Sequence, residues 1–218
     1  MPMFENRRAA SNLRFHVPPT IQSDYDNYLQ TNIPGHTYNA TLNGESSIRC
    51  AFHADGNTPG QKKLRVSLST PIRRGDVISI EGEGGYLIDE VARQVNCYVC
   101  EPLRLNALLT VTRKTPRKAD SLGRVIQQAG EETVCTDQPA HSAGKDSFQK
   151  QDVGTIVLGD PLFLLPLNDA TRQIRRDDEF TLDGDAYAVY HADFDLCDPE
   201  RTHGIIRLHC RRKAGESA

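Results

Sequence analysis

Ile72 to Tyr86 reads IRRGDVISIEGEGGY, and Ile174 to Tyr187 reads IRRDDEFTLDGDAY. Set one on the other, and Ile72, Arg73, Arg74, Asp76 and Gly82 fall on Ile174, Arg175, Arg176, Asp178 and Gly184. Dropping one glycine keeps Tyr86 on Tyr187. Self-similarity of this kind comes before any assignment of elements, because a missed repeat misassigns the whole fold. Further blocks recur in the same order. GESSIRC (Gly44 to Cys50) resembles GEETVC (Gly130 to Cys135), and CEPLR (Cys100 to Arg104) answers CDPER (Cys197 to Arg201). NALLTV (Asn106 to Val111) parallels HGIIRL (His203 to Leu208). The chain reads as a tandem duplication.

Each copy reads as β-structure. Ile78 and Ile80 alternate with Ser79 and Glu81, the period-two mark of a half-buried strand. The glycines then turn the chain, and Tyr86 and Ile88 continue the alternation on a return strand. In the second copy the turn contains Asp183-Gly184, and in His36 to His53 the tip is Asn43-Gly44. Both dipeptides tolerate positive φ and are strong hairpin signals. Helical period is weak everywhere except over Ser23 to Asn32. The expected fold class is all-β: two tandem small β-barrel (or sandwich) units related by internal duplication, with an extended N-terminal arm. Closure is the economical solution because it removes free strand edges. The expected boundaries are an arm over 1–32, unit one over 33–114, a linker and unit two over 115–213, and a tail over 214–218. RKTPRKADSLG (Arg113 to Gly123) reads as a basic linker, and TDQPAHSAGKDSFQKQD (Thr136 to Asp152) as a long exposed loop.

Bulk chemistry narrows the function classes. A formal net charge of -3 exerts no global pull toward nucleic acid or membrane. No apolar run approaches the ~18 residues that cross a bilayer. MPMFENRRAASNLRF lacks the apolar stretch of a signal peptide, which predicts cytosolic synthesis and leaves the Asn39 sequon bare.

Catalytic motifs are missing. There is no G-x-S-x-G elbow and no phosphate-cradling glycine loop before a helix, so no enzyme, catalytic residue or cofactor is expected. Cys97 and Cys100 have C-x-x-C spacing, but on a strand positions i and i+3 face opposite ways, and no second pair stands nearby. His191, Asp193, Asp195 and Asp198 cluster without the turn glycine and terminal glutamate of a calcium loop, so a solvated inter-strand loop is the better reading. No metal is expected. An OB-like barrel binding single-stranded nucleic acid is the contrasting reading, but it needs aromatics interleaved with basic residues on one face. Here Tyr and Phe fall at core-like positions.

GHTYNATLNGESSIRCAF, then IRRGDVISIEGEGGYLIDEV, then the late GIIRLHCRRK resemble the small β-barrel proteins of tailed bacteriophages that form the virion neck. These are head-completion or head-closure proteins lying between portal and tail, and the likeness spans roughly residues 33–213. The resemblance implies a virion protein, made in the host cytoplasm, that forms a homo-oligomeric ring. It would join head to tail and help close the head after DNA packaging. Its partners would be a portal or adaptor protein and a tail or tail-terminator protein, with contact to packaged DNA and no membrane. A tail-terminator or other tail-proximal ring is the runner-up. Residues 1–20, with Phe4, Leu13, Phe15 and Val17 among polar residues, are expected to order on a neighbouring subunit or the portal.

The cysteines complete the reading. Cys50 and Cys135 fall at matching places in the two copies, as do Cys100 and Cys197. Buried thiols packed as small hydrophobes are one reading. The other is a bond between Cys50 and Cys100 and between Cys135 and Cys197, with Cys135–Cys210 as the competing pair, formed after release from the reducing cytosol. A bond needs Cα atoms within about 7 Å.

Overall fold

The computed structural model describes residues 19–31, 36–54, 62–143 and 161–213. Within them lie a helix, α1 (Pro19–Gln30), and fourteen strands. The first six are β1 (Thr37–Leu42), β2 (Ser46–Ala54), β3 (Lys62–Ser67), β4 (Val77–Ile80), β5 (Gly84–Arg93) and β6 (Cys97–Arg104). The rest are β7 (Ala107–Thr115), β8 (Lys118–Ala119), β9 (Val125–Gln127), β10 (Gly130–Ala143), β11 (Leu162–Pro166), β12 (Glu179–Leu182), β13 (Asp185–Cys197) and β14 (Gly204–Arg212). No helix among the described residues is long and apolar enough to cross a membrane.

Two closed six-stranded barrels result. Around the first the order is β1-β2-β3-β6-β5-β4; around the second it is β7-β10-β11-β14-β13-β12. These are the same path, with β7 standing for β1 and β10 for β2, so the two tandem barrels expected from the repeat are present. The local turns obey the expected chemistry: Asn43 and Gly44 have φ of 53° and 74°, and Asp183 and Gly184 have φ of 53° and 83°. Gly82 and Gly184 occupy equivalent tips, between β4 and β5 and between β12 and β13.

Alternation fills each interior. Leu42, Cys50, Leu64, Val66, Ile78, Ile80, Ile88 and Cys100 form the first core. Val111, Phe163, Leu165, Phe180, Val189, Ile206, Leu208 and Cys210 form much of the second. Each large side chain so enclosed contributes about 1.5–3 kcal/mol of apolar transfer free energy.

The structure moves the boundary between the units. β7 is not the closing strand of unit one: it pairs with β10 and β12 and opens the second barrel. β6 is the last strand of the first barrel along the chain, so one barrel passes to the next across Leu105-Asn106 rather than near residue 114. NALLTV and HGIIRL look alike only because any interior strand alternates apolar and polar residues. The segment expected to be a linker is an excursion inside barrel two, between its first two strands. Of the loop expected over 136–152, residues 136–143 belong to β10, and the remainder lies outside the described residues.

Residues 1–18 of the expected arm also lie outside the described residues. From Pro19 onward the chain is helical rather than extended: α1 packs on the outer wall of barrel one, where Tyr25 and Leu29 cover Ala51, Cys97 and Val99. The Ser67 hydroxyl donates to the Asp26 carboxylate beside this contact.

The barrels touch at a pair of glycines. A Cβ on Gly75 would overlap the Gly204 carbonyl, so two backbones meet with no room for a side chain. Leu87 and Ile205 belong to neither interior cluster yet are fully buried. Gly75→Ala is expected to destabilise by about 2 kcal/mol more than Gly184→Ala. The second change meets only the positive-φ strain, ~1–2 kcal/mol, in open space, whereas the first adds an overpacked contact. Urea unfolding of the two variants measures the difference.

Candidate functional site

The repeated I-R-R-x-D segment builds one turn twice. The Asp76 carboxylate accepts the Arg73 N–H at 2.6 Å, and the Asp178 carboxylate accepts the Arg175 N–H at 2.9 Å. Gly75 and Asp177, both at positive φ, donate to the carbonyls of Ile88 and Val189 at 2.8 and 2.7 Å. Those two residues return N–H bonds to the carbonyls of Asp76 and Asp178. Both aspartates are buried, at 3% and 1% exposure, and a buried carboxylate must find further donors.

The copies answer that demand differently. In barrel one the Asn43 side chain donates to Asp76 at 2.8 Å while its own oxygen accepts the Val77 N–H. His203 of barrel two brings Nε2 to 3.3 Å from the same carboxylate. In barrel two Arg113 grips Asp178 through two bonds, at 2.7 and 2.8 Å, and also donates to the Gln173 carbonyl. Asp178 and burial act in opposite senses on Arg113, and the carboxylate prevails, raising its pKa.

The cysteines do not come together. All six lie among the described residues, and none is joined in a disulfide. Cys50 and Cys100 both face into barrel one but stand on β2 and β6 with β3 between them. Two inter-strand spacings make about 10 Å, beyond the reach of a bond. Cys135 and Cys197 occupy opposite walls of barrel two, and Cys135 and Cys210 are separated by β11.

The proposed equivalence of the cysteines also fails. Leu42 lies opposite Ile78 as Val111 lies opposite Phe180, which makes Cys135, paired with Val111, the counterpart of Ser46. Cys50 corresponds instead to Ala140, and Cys100 to Leu208. Burial pushes the Cys50 and Cys100 thiols up to about 12. Cys97 faces the other way from Cys100, under α1 beside Tyr25, so the C-x-x-C pair straddles the wall.

The acidic cluster is occupied by structure. Arg207 pairs with Asp193, and Asp198 accepts from Thr202 and His203 to cap the β13–β14 turn. His191 lies against His209, whose pKa is lowered by burial first and by His191 second. No group of three or more His, Cys, Asp or Glu side chains suited to a metal ion occurs among the described residues.

One feature could not be read from the sequence: an arm. β7 pairs with β12 only at Val111 and Thr112, whereas its ladder with β10 continues to Thr115 and Gly130. Beyond that, β8 and β9 pair only with each other among the described residues. Asp120 fixes the tip by accepting the N–H groups of Leu122 and Arg124. Residues 121–133 are all exposed. Barrel one has the Asn43-Gly44 turn at this place. Compared with protein-family models, curated proteins and solved structures, the chain matches none.

Arg113→Ala strands a buried carboxylate and is expected to cost ~3 kcal/mol, whereas Lys114→Ala, at an exposed pair with Glu179, should cost under ~1 kcal/mol. Denaturant titration compares them. A thiol reagent at pH 8 should leave Cys50 and Cys100 unmodified in the folded chain and find six thiols after unfolding without reductant. Because the folded thiols titrate at about 12 against an ordinary value of 9.0, stability should fall as pH rises from about 9 to 12 and be insensitive to them below that range.

Proposed function

We propose that the chain is a structural virion protein of a tailed-phage neck. It forms a homo-oligomeric ring that joins portal and head to tail and helps close the head after DNA packaging. The observation that carries this reading is the division of labour in the fold: two barrels with filled interiors, and one arm that leaves barrel two and is exposed among the described residues. Filled barrels give rigid walls, and an uncovered arm gives a reason to associate. A ring from one kind of chain needs contacts between unlike surfaces, and twin barrels that differ at their turns supply unlike surfaces. The resemblance of the hairpin and closing-strand motifs to neck proteins chooses the setting. A tail-terminator or other tail-proximal ring meets the same requirement in an adjacent layer.

Single-stranded nucleic-acid binding is less well supported. Phe52 packs edge-on against both Tyr38 and Tyr86, all three half-buried against the core of barrel one, and Phe163, Phe180 and Tyr187 pack together in barrel two. Rings engaged in that way offer no stacking platform.

Light scattering on the purified chain tests the reading. The expected mass is a large multiple of 24.3 kDa, with a ring outline in negative stain. A 24.3 kDa species at every concentration that also retards single-stranded DNA at physiological salt overturns it in favour of the nucleic-acid binder.

A further inference from the structure

We infer that the arm over 113–133 is the subunit-to-subunit joint, docking on the outer wall of barrel two of another copy of this chain. The inference rests on the ring reading above and names the surfaces that would close it.

An isolated two-stranded hairpin is marginal in water, and β8–β9 has no third strand beside it among the described residues. It also carries its apolar side chains in the open: Leu122 is 75% exposed and Ile126 71%, with Val125 at 41%. Three large apolar side chains exposed within five residues of one another are the kind of surface that association covers. Its charge selects the partner. Residues 116–129 hold Arg117, Lys118 and Arg124 against Asp120 alone, in a chain whose net charge is -3. Everything outside the arm is therefore net acidic, and a second copy presents the complementary field.

The acceptor is the outer face of β7 and β10. Leu108, 62% exposed, lies directly opposite Pro139. Asp137 flanks this apolar pair, held to Thr110, and Asp169 follows Asn168, whose amide donates to Gln138. Asp169 is paired with Arg172 at 3.6 Å, so Asp137 supplies the acidic edge of this apolar patch, the counterpart of an apolar arm with net positive charge. The arm cannot reach the patch of its own chain. Seven residues separate Leu108 from Thr115 along β7, roughly 23 Å at a strand's rise, and the arm continues away from that end. Donor and acceptor differ, so the contact is head-to-tail and can close a ring.

Two variants separate the surfaces: an arm variant, Leu122→Asp with Ile126→Asp, and a wall variant, Leu108→Asp. Both alter exposed residues, so circular dichroism and melting should match the parent, and Arg124→Glu is a second, charge-only arm variant. Light scattering should give an assembled parent, monomers for the arm and wall variants alone, and weakened assembly for Arg124→Glu. An equimolar mixture of arm and wall variants should give dimers and nothing larger, because one intact arm meets one intact wall. If the parent assembles and the variants assemble equally well, the joint lies elsewhere and the ring reading stands. If the wall variant alone still assembles, arms meet arms and the wall is not the acceptor; if the mixture stays monomeric, arm and wall do not meet and this joint is wrong. A parent that is monomeric removes the ring reading and this joint together. If that monomer binds single-stranded DNA through Arg117 and Arg124, the arm is a nucleic-acid contact instead.

Discussion

A carboxylate that cannot reach water must be given donors, and in each barrel that requirement falls on the aspartate of the I-R-R-x-D turn. The turn sits at the entry to β4 or β12, the strand that closes the barrel against its first strand. Backbone bonds from Arg73 or Arg175 fix the turn, and the bonds to Ile88 or Val189 lock it to the next strand. The remaining acceptor capacity reaches across to the end of the first strand, to Asn43 in one copy and Arg113 in the other. One buried group therefore ties the closing strand, its hairpin partner and the opening strand. Closure satisfies it, since leaving it unpaired in the interior would cost several kcal/mol.

Once the closing device was present twice, the copies were free to diverge around it. Asp177 shows that the turn itself accepts a side chain at positive φ, at 70°. Gly75 is glycine for a different reason: the backbone of Gly204 lies against it. The first turn is thus committed to the neighbouring barrel, and the second faces outward. A similar exchange occurs at the first hairpin. Asn43 both turns the chain and serves Asp76, so that tip is fixed; in barrel two Arg113 serves Asp178 from within the strand, which leaves the chain beyond it free to extend into an arm.

Legibility in the sequence tracked dependence on neighbours in the chain. Asn43-Gly44 and Asp183-Gly184 announce their hairpins because positive φ is a local demand. The repeat around Asp76 and Asp178 was legible because one buried carboxylate constrains several consecutive residues. Register was not legible. β10 carries irregularities between Thr133 and Cys135 and between Cys135 and Gln138, and such bulges shift which residue faces which without changing the pattern of types. Hence Cys50 looked like the partner of Cys135 and is the partner of Ala140. The arm was missed for a related reason: Arg113 to Gly123 is polar and basic whether it joins two domains or tips a hairpin, and only the pairing of β7 with β12 distinguishes the two. α1 was half visible in the period over Ser23 to Asn32, but the wall it covers is made of Ala51, Cys97 and Val99, which no local pattern links to it.

The surfaces of the two copies, rather than their interiors, carry the functional reading. Inside, both copies spend their alternation on hydrocarbon, aromatic edges and buried thiols. Outside, the copies differ at each place where a side chain was released from the closing device: a glycine contact on one turn, an outward aspartate on the other, a two-residue tip against a basic apolar arm. A symmetric pair of barrels would offer each surface twice and favour pairing of like with like. Divergence removes that degeneracy, so in the proposed ring a neighbour would meet one arm and one wall per chain. That is the condition under which a single polypeptide assembles in one direction around a ring rather than collapsing into isologous dimers.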